Sequence, residues 1–139
     1  MKVSHIEHLG IAVKSLDESI PYWENVLGLK CYAIEEVADQ KVRTAFFKLG
    51  QTKIELLEPT SPESTIAKFI DTRGPGLQQL AYRTSDIEAL SERLRADGVR
   101  LLYEAPRRGT ADSRINFIHP KDAGGVLIEL VEPAKDAAH

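Results

Sequence analysis

The sequence predicts an α+β fold made of two tandem βαβββ modules, and three observations support this prediction. A short apolar strand pattern occurs twice, at His8–Val13 and at Gln79–Thr84, and S-x-x-E follows each copy. A second pattern, I-E-L-[LV]-E-P, closes both halves, at Ile54–Pro59 and at Ile128–Pro133. The stretch between these repeats leaves room in each half for one helix and two further strands.

The helices are predicted from their start and stop signals. The S-x-x-E sequences that begin at Ser15 and Ser85 are capping boxes, which satisfy free N–H groups at a helix start. Apolar residues then recur at helical spacing until Gly28 and Gly98, and glycine favours the left-handed residue that ends a helix. Pro21 predicts that the first helix begins a turn late, because proline removes one helical hydrogen bond.

The remaining segments complete the two modules. Two further strands are predicted in each half, at Lys30–Val37, Val42–Leu49, Arg100–Glu104 and Ser113–His119. Ser61 followed by Pro62 predicts the start of a linking helix, with serine as its cap. We therefore expect one domain over residues 1–133, with module 1 at about 4–60, the linking helix at 61–73, module 2 at about 74–133, and a flexible tail at 134–139.

Composition narrows the class of protein. A chain of 139 residues with 42% hydrophobic residues is long enough for one well-packed domain. The net charge is -3 and the longest basic block is Arg107-Arg108, which argues against a nucleic-acid surface. The apolar runs are too short to span a bilayer and the N-terminus lacks a signal-peptide pattern, so we expect a cytoplasmic protein. The single cysteine, Cys31, fits a reducing compartment.

Polar residues recur at equivalent places in the two halves. Glu129 lies within an apolar run, where a buried carboxylate is costly unless it is protonated, paired or bound to a metal. Glu55 is its equivalent in the first half, and His8 and Gln79 are equivalent to each other. Approximate twofold packing would bring all four together as nitrogen and oxygen ligands for a divalent cation. His8, Gln79 and Glu55 each also fit a solvated strand position, with Glu55 facing water beside Lys53, whereas Glu129 has apolar flanks on both faces.

Four segments carry a resemblance to a known family: EHLGIAVKSLDESI (7–20), KIELLEPTSPESTIAKFI (53–70), GPGLQQLAY (74–82) and RLLYEAPRRGTADSRINFIHPKDAGGVLIELVEP (100–133). The paired modules resemble the vicinal oxygen chelate superfamily, which includes glyoxalase I, extradiol dioxygenases and antibiotic-resistance proteins. Within it, the chain is most similar to the methylmalonyl-CoA epimerase family. The resemblance implies an open, glyoxalase-like sheet that encloses a metal ion. The implied ligands are His8, Glu55, Gln79 and Glu129.

The resemblance also implies a reaction. The family inverts the 2-carbon of methylmalonyl-CoA, a step of propionate metabolism, by proton abstraction and reprotonation through a metal-stabilised enolate. Co²⁺ is the first metal expected, with Ni²⁺, Mn²⁺, Zn²⁺ and Fe²⁺ as alternatives. Glu129 and Glu55 are the expected catalytic residues, and a homodimer is implied. Arg107, Arg108 and Lys121 are expected to bind the phosphates of the CoA substrate.

Two departures from the family pattern leave alternatives open. Gln78-Gln79 stands where epimerases commonly have His-His, and the resulting ligand types resemble those of zinc glyoxalase I. Thr44 stands where some relatives have a second acid–base glutamate, so Glu55, Asp39 or a metal-bound water is expected to replace it. The alternative functions are a glyoxalase I-type lyase acting on a glutathione hemithioacetal, a non-catalytic small-molecule-binding protein, and a chain that has lost activity.

Overall fold

A computed structural model describes residues 2–135 of the chain, with three α-helices and eight strands in that range. The strands are β1 (His5–Ala12), β2 (Cys31–Val37), β3 (Val42–Leu49), β4 (Thr52–Pro59), β5 (Gly76–Arg83), β6 (Arg107–Arg108), β7 (Arg114–Ile118) and β8 (Ile128–Glu132). The helices are α1 (Leu16–Asn25), α2 (Thr65–Arg73) and α3 (Ile87–Ala96). The order β-α-β-β-β occurs twice, which confirms the predicted α+β class. Most of the predicted tail, residues 136–139, lies outside the described range.

The segment His8–Gln78 forms one compact unit. Its strands are ordered β2-β3-β4-β1, with β4 and β1 parallel and the other neighbours antiparallel. Helix α1 covers one face of this sheet, and Ile54 and Leu56 of β4 belong to the apolar cluster beneath it. Helix α2 covers the other face, and Leu57 belongs to the apolar cluster there. Because side chains alternate along a strand, Lys53 and Glu55 share the α2 face with Leu57.

Within the described range, the second compact unit consists of residues 2–7 together with residues 79–135. Its strands are ordered β5-β8-β7-β6, with β5 and β8 parallel and the others antiparallel. Ile87 and Leu90 of α3 pack against Leu130 on one face. The opposite face has its own apolar cluster of Ala81, Ile115, Phe117 and Val131. None of the helices described in either unit is long and apolar enough to cross a membrane.

The second glutamate of each I-E-L-[LV]-E-P repeat holds a helix start. A carboxylate oxygen of Glu58 accepts a hydrogen bond of 2.9 Å from the first backbone N–H of α1, and Glu132 does the same for α3, also at 2.9 Å. An arginine directly opposite on the neighbouring strand binds each carboxylate: Arg43 lies 3.1 Å from Glu58, and Arg114 lies 3.8 Å from Glu132. The closing repeat therefore has a structural role that sequence analysis missed.

Two helix predictions were wrong: the late start of α1 and the Ser85 cap of α3. Helix α1 begins at Leu16 and contains Pro21, because Glu58 and the Ser15 hydroxyl hold its first turn despite the missing proline N–H. Helix α3 is capped by Asp86 rather than Ser85, since the Asp86 carboxylate accepts a hydrogen bond of 3.0 Å from a backbone N–H in the first turn.

Helix α2 also begins later than predicted. Ser64 is its cap, and the Ser64 hydroxyl accepts a hydrogen bond of 3.1 Å from the Ile66 N–H. Ser61, the predicted cap, instead accepts from the backbone N–H of Glu63 in the turn that precedes the helix. The serine–proline signal therefore marks a turn, and the helix follows it.

The predicted strand Arg100–Glu104 was also wrong. This segment makes a single bridge, between Leu101 and Ile118, and the ladder partner of β7 is instead β6. The side chain of Asn116, which is fully buried, holds the segment beyond the bridge. Its oxygen accepts from the Tyr103 N–H at 3.1 Å and its amide donates to the Tyr103 carbonyl at 3.0 Å. A side chain thus takes over the hydrogen bonds of a strand neighbour.

Candidate active site

A buried histidine–glutamate pair joins β1 to β4. His8 Nδ1 lies 3.2 Å from Glu55 Oε2, and each residue is only 2% exposed. The parallel register puts Gly10 opposite Glu55, so no side chain at that position separates Glu55 from His8 two residues earlier. Strand alternation thus gives the two polar side chains one face in common, as the sequence predicts.

A glutamine–glutamate pair joins β5 to β8 in the same way. Gln79 Nε2 donates a hydrogen bond of 2.7 Å to Glu129 Oε1, and Glu129 is 5% exposed. The register puts Ala81 opposite Glu129, so Gln79 again precedes the cross-strand neighbour by two positions. The two pairs are equivalent by the repeat, and the sharing of one ion by both pairs stays a prediction.

The donor atoms of these pairs fit a divalent cation. Imidazole nitrogen, amide oxygen and carboxylate oxygen are ligands for first-row transition metals. Glu7, His8 and Glu55 each offer a ligand atom, and these three atoms all lie within 4.8 Å of one another. Because buried carboxylates are costly unless they are neutralised, such a cluster is suited to bind a cation.

Sequence analysis missed Glu7, which is 5% exposed. A charged residue beside His8 suggests a solvent-facing strand position, because neighbouring side chains point to opposite faces. The internal repeat held a signal, since the equivalent of Glu7 in the second half is Gln78. Gln78 Oε1 is buried and has no hydrogen-bond partner among the described residues. Polar residues thus recur at three equivalent positions of the two halves, rather than at two.

The position where some relatives carry a second acid–base glutamate holds a buried hydroxyl group in this chain. Thr44 on β3 is fully buried, and its Oγ1 has no hydrogen-bond partner within residues 2–135. It lies opposite Glu35 of β2 on one side and opposite Leu57 of β4 on the other. Asp39, one predicted replacement, lies in an exposed turn after β2.

The three cations predicted to bind CoA lie in the second unit. Arg107 and Arg108 form β6, and both are exposed. The Arg107 guanidinium stacks on the Tyr103 ring at 3.9 Å from its centroid, and Arg108 Nη2 lies 2.6 Å from an Asp112 oxygen. Lys121 is exposed in a short turn, Pro120–Asp122. Their role in substrate binding stays a prediction.

The turn that carries Lys121 is held by Arg100. One oxygen of Asp122 accepts from the backbone N–H and Nε of Arg100, at 2.8 and 3.0 Å, and the other accepts from Nη2 at 2.9 Å. These hydrogen bonds hold the pKa of the Asp122 carboxyl well below its usual range. The carboxylate therefore keeps its charge in more acidic solution than an ordinary aspartate would, and it holds the turn through Arg100.

The fold and the paired polar residues define the class of protein, and comparison with known proteins agrees. The sequence model of the Glyoxalase/Bleomycin resistance protein/Dioxygenase superfamily matches residues 7–117. Within that superfamily, the chain belongs to the methylmalonyl-CoA epimerase family. The predicted resemblance, the glyoxalase-like fold and the class of enzyme, a racemase/epimerase, are thus confirmed.

Three relatives carry this assignment. A methylmalonyl-CoA epimerase from Mycobacterium tuberculosis is 54% identical, with a TM-score of 0.92 over 95% of this chain and 89% of that chain. The ethylmalonyl-CoA/methylmalonyl-CoA epimerase of Cereibacter sphaeroides is 35% identical over 92% of this chain and 97% of its own. A methylmalonyl-CoA epimerase in complex with methylmalonyl-CoA and NH₄⁺ is 38% identical, with a TM-score of 0.93 over 96% of this chain and 97% of that chain.

The enzymes that represent the leading alternative function, a glyoxalase I-type lyase, are less similar to this chain. A lactoylglutathione lyase of Haemophilus influenzae is 28% identical over 91% of this chain and 91% of its own length. The similarity therefore favours an epimerase over a glyoxalase I-type lyase.

Proposed function

We propose that this chain is a metal-dependent epimerase that inverts the 2-carbon of methylmalonyl-CoA. One observation carries the proposal: both modules hold an equivalent pair of polar side chains, His8 with Glu55 and Gln79 with Glu129, in a chain of the epimerase family, and all of them except the half-buried Gln79 are buried. Pairs of this kind supply ligands for a cation and carboxylates for proton transfer, which are the two requirements of the reaction.

We propose that the four residues of these pairs hold one divalent cation together. The burial of His8, Glu55 and Glu129 and the mixture of nitrogen and oxygen donors support this ligand set, and four protein ligands leave positions open for a substrate. Co²⁺ is our first candidate, followed by Ni²⁺, Mn²⁺, Zn²⁺ and Fe²⁺. When bound, the cation supplies Lewis-acid stabilisation of the negative charge that develops on the substrate oxygens.

Proton transfer is the task of the carboxylates. Glu129 lies between Ile128 and Leu130 and is 5% exposed, so little water competes for its oxygens. In our proposal the Glu129 carboxylate accepts the C2 proton: the C–H bond breaks, an O–H bond forms, and a second group delivers a proton to the opposite side of C2. Glu55 is the other carboxylate predicted for this role, but its contact with His8 suits it better to hold the cation.

The residues that bind the CoA part of the substrate, the localisation and the oligomeric state are proposed from the family resemblance. We propose that Arg107, Arg108 and Lys121 bind the CoA phosphates, since all three are exposed cations. We also propose that the protein is cytoplasmic and forms a homodimer. Tyr22 in α1 and Val26 directly after it are 56% and 62% exposed. Exposed apolar side chains of this size support an interface with a second copy of the chain. Light scattering of the purified chain tests the assembly.

Deuterium exchange tests the proposed activity. The chain loaded with Co²⁺ is incubated with methylmalonyl-CoA in D₂O, and deuterium entry at the 2-carbon is followed by mass spectrometry. We expect exchange above a metal-free control, and its loss in Glu129→Gln with the epimer whose C2 proton Glu129 abstracts, because the amide cannot accept that proton. No exchange with Co²⁺ demonstrably bound would contradict the proposal. Turnover of a glutathione hemithioacetal would then identify a lyase, and binding without turnover would identify a non-catalytic protein.

A further inference from the structure

The proposed reaction needs a proton-transfer group on each side of the 2-carbon, and Glu129 supplies only one. We propose that Glu35 on β2 is the second, a catalytic carboxylate delivered across the strand from Thr44. This inference rests on the proposed epimerase function, which it completes. Thr44 itself cannot serve, because a hydroxyl group exchanges protons poorly near neutral pH.

Glu35 lies on the face of its strand that turns inward. Its neighbours Ile34 and Glu36 are exposed, whereas Glu35 is half-buried. Val37, two residues further on, packs against the apolar cluster that contains Leu57. Since side chains alternate along a strand, Glu35 shares the face of Val37, which is also the face of Leu57 and Glu55.

The register brings Glu35 to Thr44. The two residues lie directly opposite each other in the antiparallel β2–β3 pair. The Cβ atoms of such neighbours are about 4.5–5.5 Å apart, so the longer side chain of glutamate reaches over the threonine. A glutamate on β2 can therefore deliver a carboxylate close to where a glutamate at position 44 would place one.

The hydroxyl group of Thr44 supplies an independent observation. Thr44 is fully buried, and its Oγ1 has no hydrogen-bond partner among residues 2–135. Leaving a buried polar group without a hydrogen bond is costly, which is a reason for a polar ligand group to bind there. Thr44 faces Leu57, two residues from Glu55 on the same face of β4. The orphan hydroxyl thus lies between Glu35 and the strand of the proposed metal ligand.

Three other carboxylates of the His8–Gln78 unit are less suited to this role. Glu55 contacts His8 at 3.2 Å, and Glu58 accepts the N–H that begins α1. Asp39 lies in an exposed turn outside the strands. Glu35 combines partial burial with a place beside the orphan hydroxyl, which favours it for the role.

The chemistry balances with two carboxyl groups. In one direction the Glu129 carboxylate takes the C2 proton, so that a C–H bond breaks and an O–H bond forms. The Glu35 carboxylic acid gives its proton to the opposite side of C2, so that an O–H bond breaks and a C–H bond forms. In the reverse direction the two groups exchange roles. Each turnover swaps their protonation states, and proton exchange with water restores them.

Glu35→Gln tests this assignment, with Glu36→Gln as the matched control on the exposed face of the same strand. The chains are loaded with Co²⁺ and incubated in D₂O with each epimer of methylmalonyl-CoA separately. We expect Glu35→Gln to lose about 10²–10⁴-fold in epimerisation and yet to exchange the C2 proton of one epimer without inversion. Glu36→Gln should behave as the wild type with both epimers.

Two further measurements exclude a merely structural effect. Glu35→Gln should bind Co²⁺ with wild-type affinity, because Glu35 is not a proposed ligand. Adding Thr44→Glu to Glu35→Gln should restore at least a tenth of the lost activity, since the carboxylate then comes from β3. Exchange lost equally from both epimers, or full activity in Glu35→Gln, would overturn the assignment while leaving the proposed function intact. No exchange in the wild type would overturn both.

Discussion

At the scale of single residues, the site depends on polar groups that contact each other in pairs, three of them buried and Gln79 half-buried. His8 and Glu55 lie within 3.2 Å of each other, and Gln79 donates to Glu129 at 2.7 Å. In both pairs the first residue precedes the cross-strand neighbour of the glutamate by two positions. The same local geometry thus arises twice from one repeated pattern, although the residue types differ.

Replacing His8 with alanine should weaken metal binding. His8 is the one histidine of the proposed ligand set, so we expect a loss of Co²⁺ affinity of at least about 10–100-fold, the range typical even of outer-sphere partners. Isothermal titration of the metal-free chain with Co²⁺ measures it. His5→Ala is the matched control, because His5 lies on the same strand and its Nδ1 is 3.1 Å from the Ser4 hydroxyl. Equal affinity in both variants would exclude His8 as a ligand.

At the scale of elements, the repeated glutamates before proline position the helices. Glu58 accepts the first N–H of α1 and Glu132 accepts the first N–H of α3, both at 2.9 Å. A carboxylate at a helix N-terminus is favoured by the free N–H groups and by the helix dipole. Each module therefore joins its last strand to its first helix through one carboxylate, which lies three residues after the proposed site glutamate of that strand, Glu55 or Glu129.

Replacing Glu58 or Glu132 with alanine should destabilise the fold. Each change leaves a helix N–H without its acceptor and removes the partner of an arginine, so we expect a loss of about 1–2 kcal/mol in the free energy of unfolding. Urea denaturation measures this loss. Glu92→Ala, on the exposed side of α3, is the control and should change stability by less than about 0.5 kcal/mol. A neutral result for both glutamates would contradict a capping role.

At the scale of the whole molecule, β1 connects the two compact units. The boundary between the units falls between Glu7 and His8, inside the strand His5–Ala12. One strand thus contributes residues to both units. We therefore propose that residues 1–133 behave as a single domain.

Thermal unfolding should accordingly be one cooperative transition. We expect the calorimetric and van't Hoff enthalpies to agree, which is the test of two-state behaviour. Co²⁺ should raise the midpoint of this transition as its concentration increases, because it binds the folded state, and a chelator should reverse the shift. Differential scanning calorimetry with and without Co²⁺ measures both effects. Two separate transitions would show that the modules unfold independently.

The sequence by itself determined the modular plan and showed which polar residues recur at equivalent positions. Alternation places side chains on a strand face and a repeat carries that placement to a second module, so the equivalence of Glu55 with Glu129 and of His8 with Gln79 could be found without coordinates. Both properties are local, and they do not depend on how distant segments meet.

Only the tertiary structure decided which side chains complete these local patterns. Pro21 lies inside α1 because Glu58, 37 residues after it along the chain, holds the helix start. The segment at Tyr103 binds the Asn116 side chain instead of a strand. The orphan hydroxyl of Thr44 and the place of Glu35 opposite it depend on the β2–β3 register. Contacts between residues distant in sequence set these outcomes, and neither periodicity nor spacing contains them.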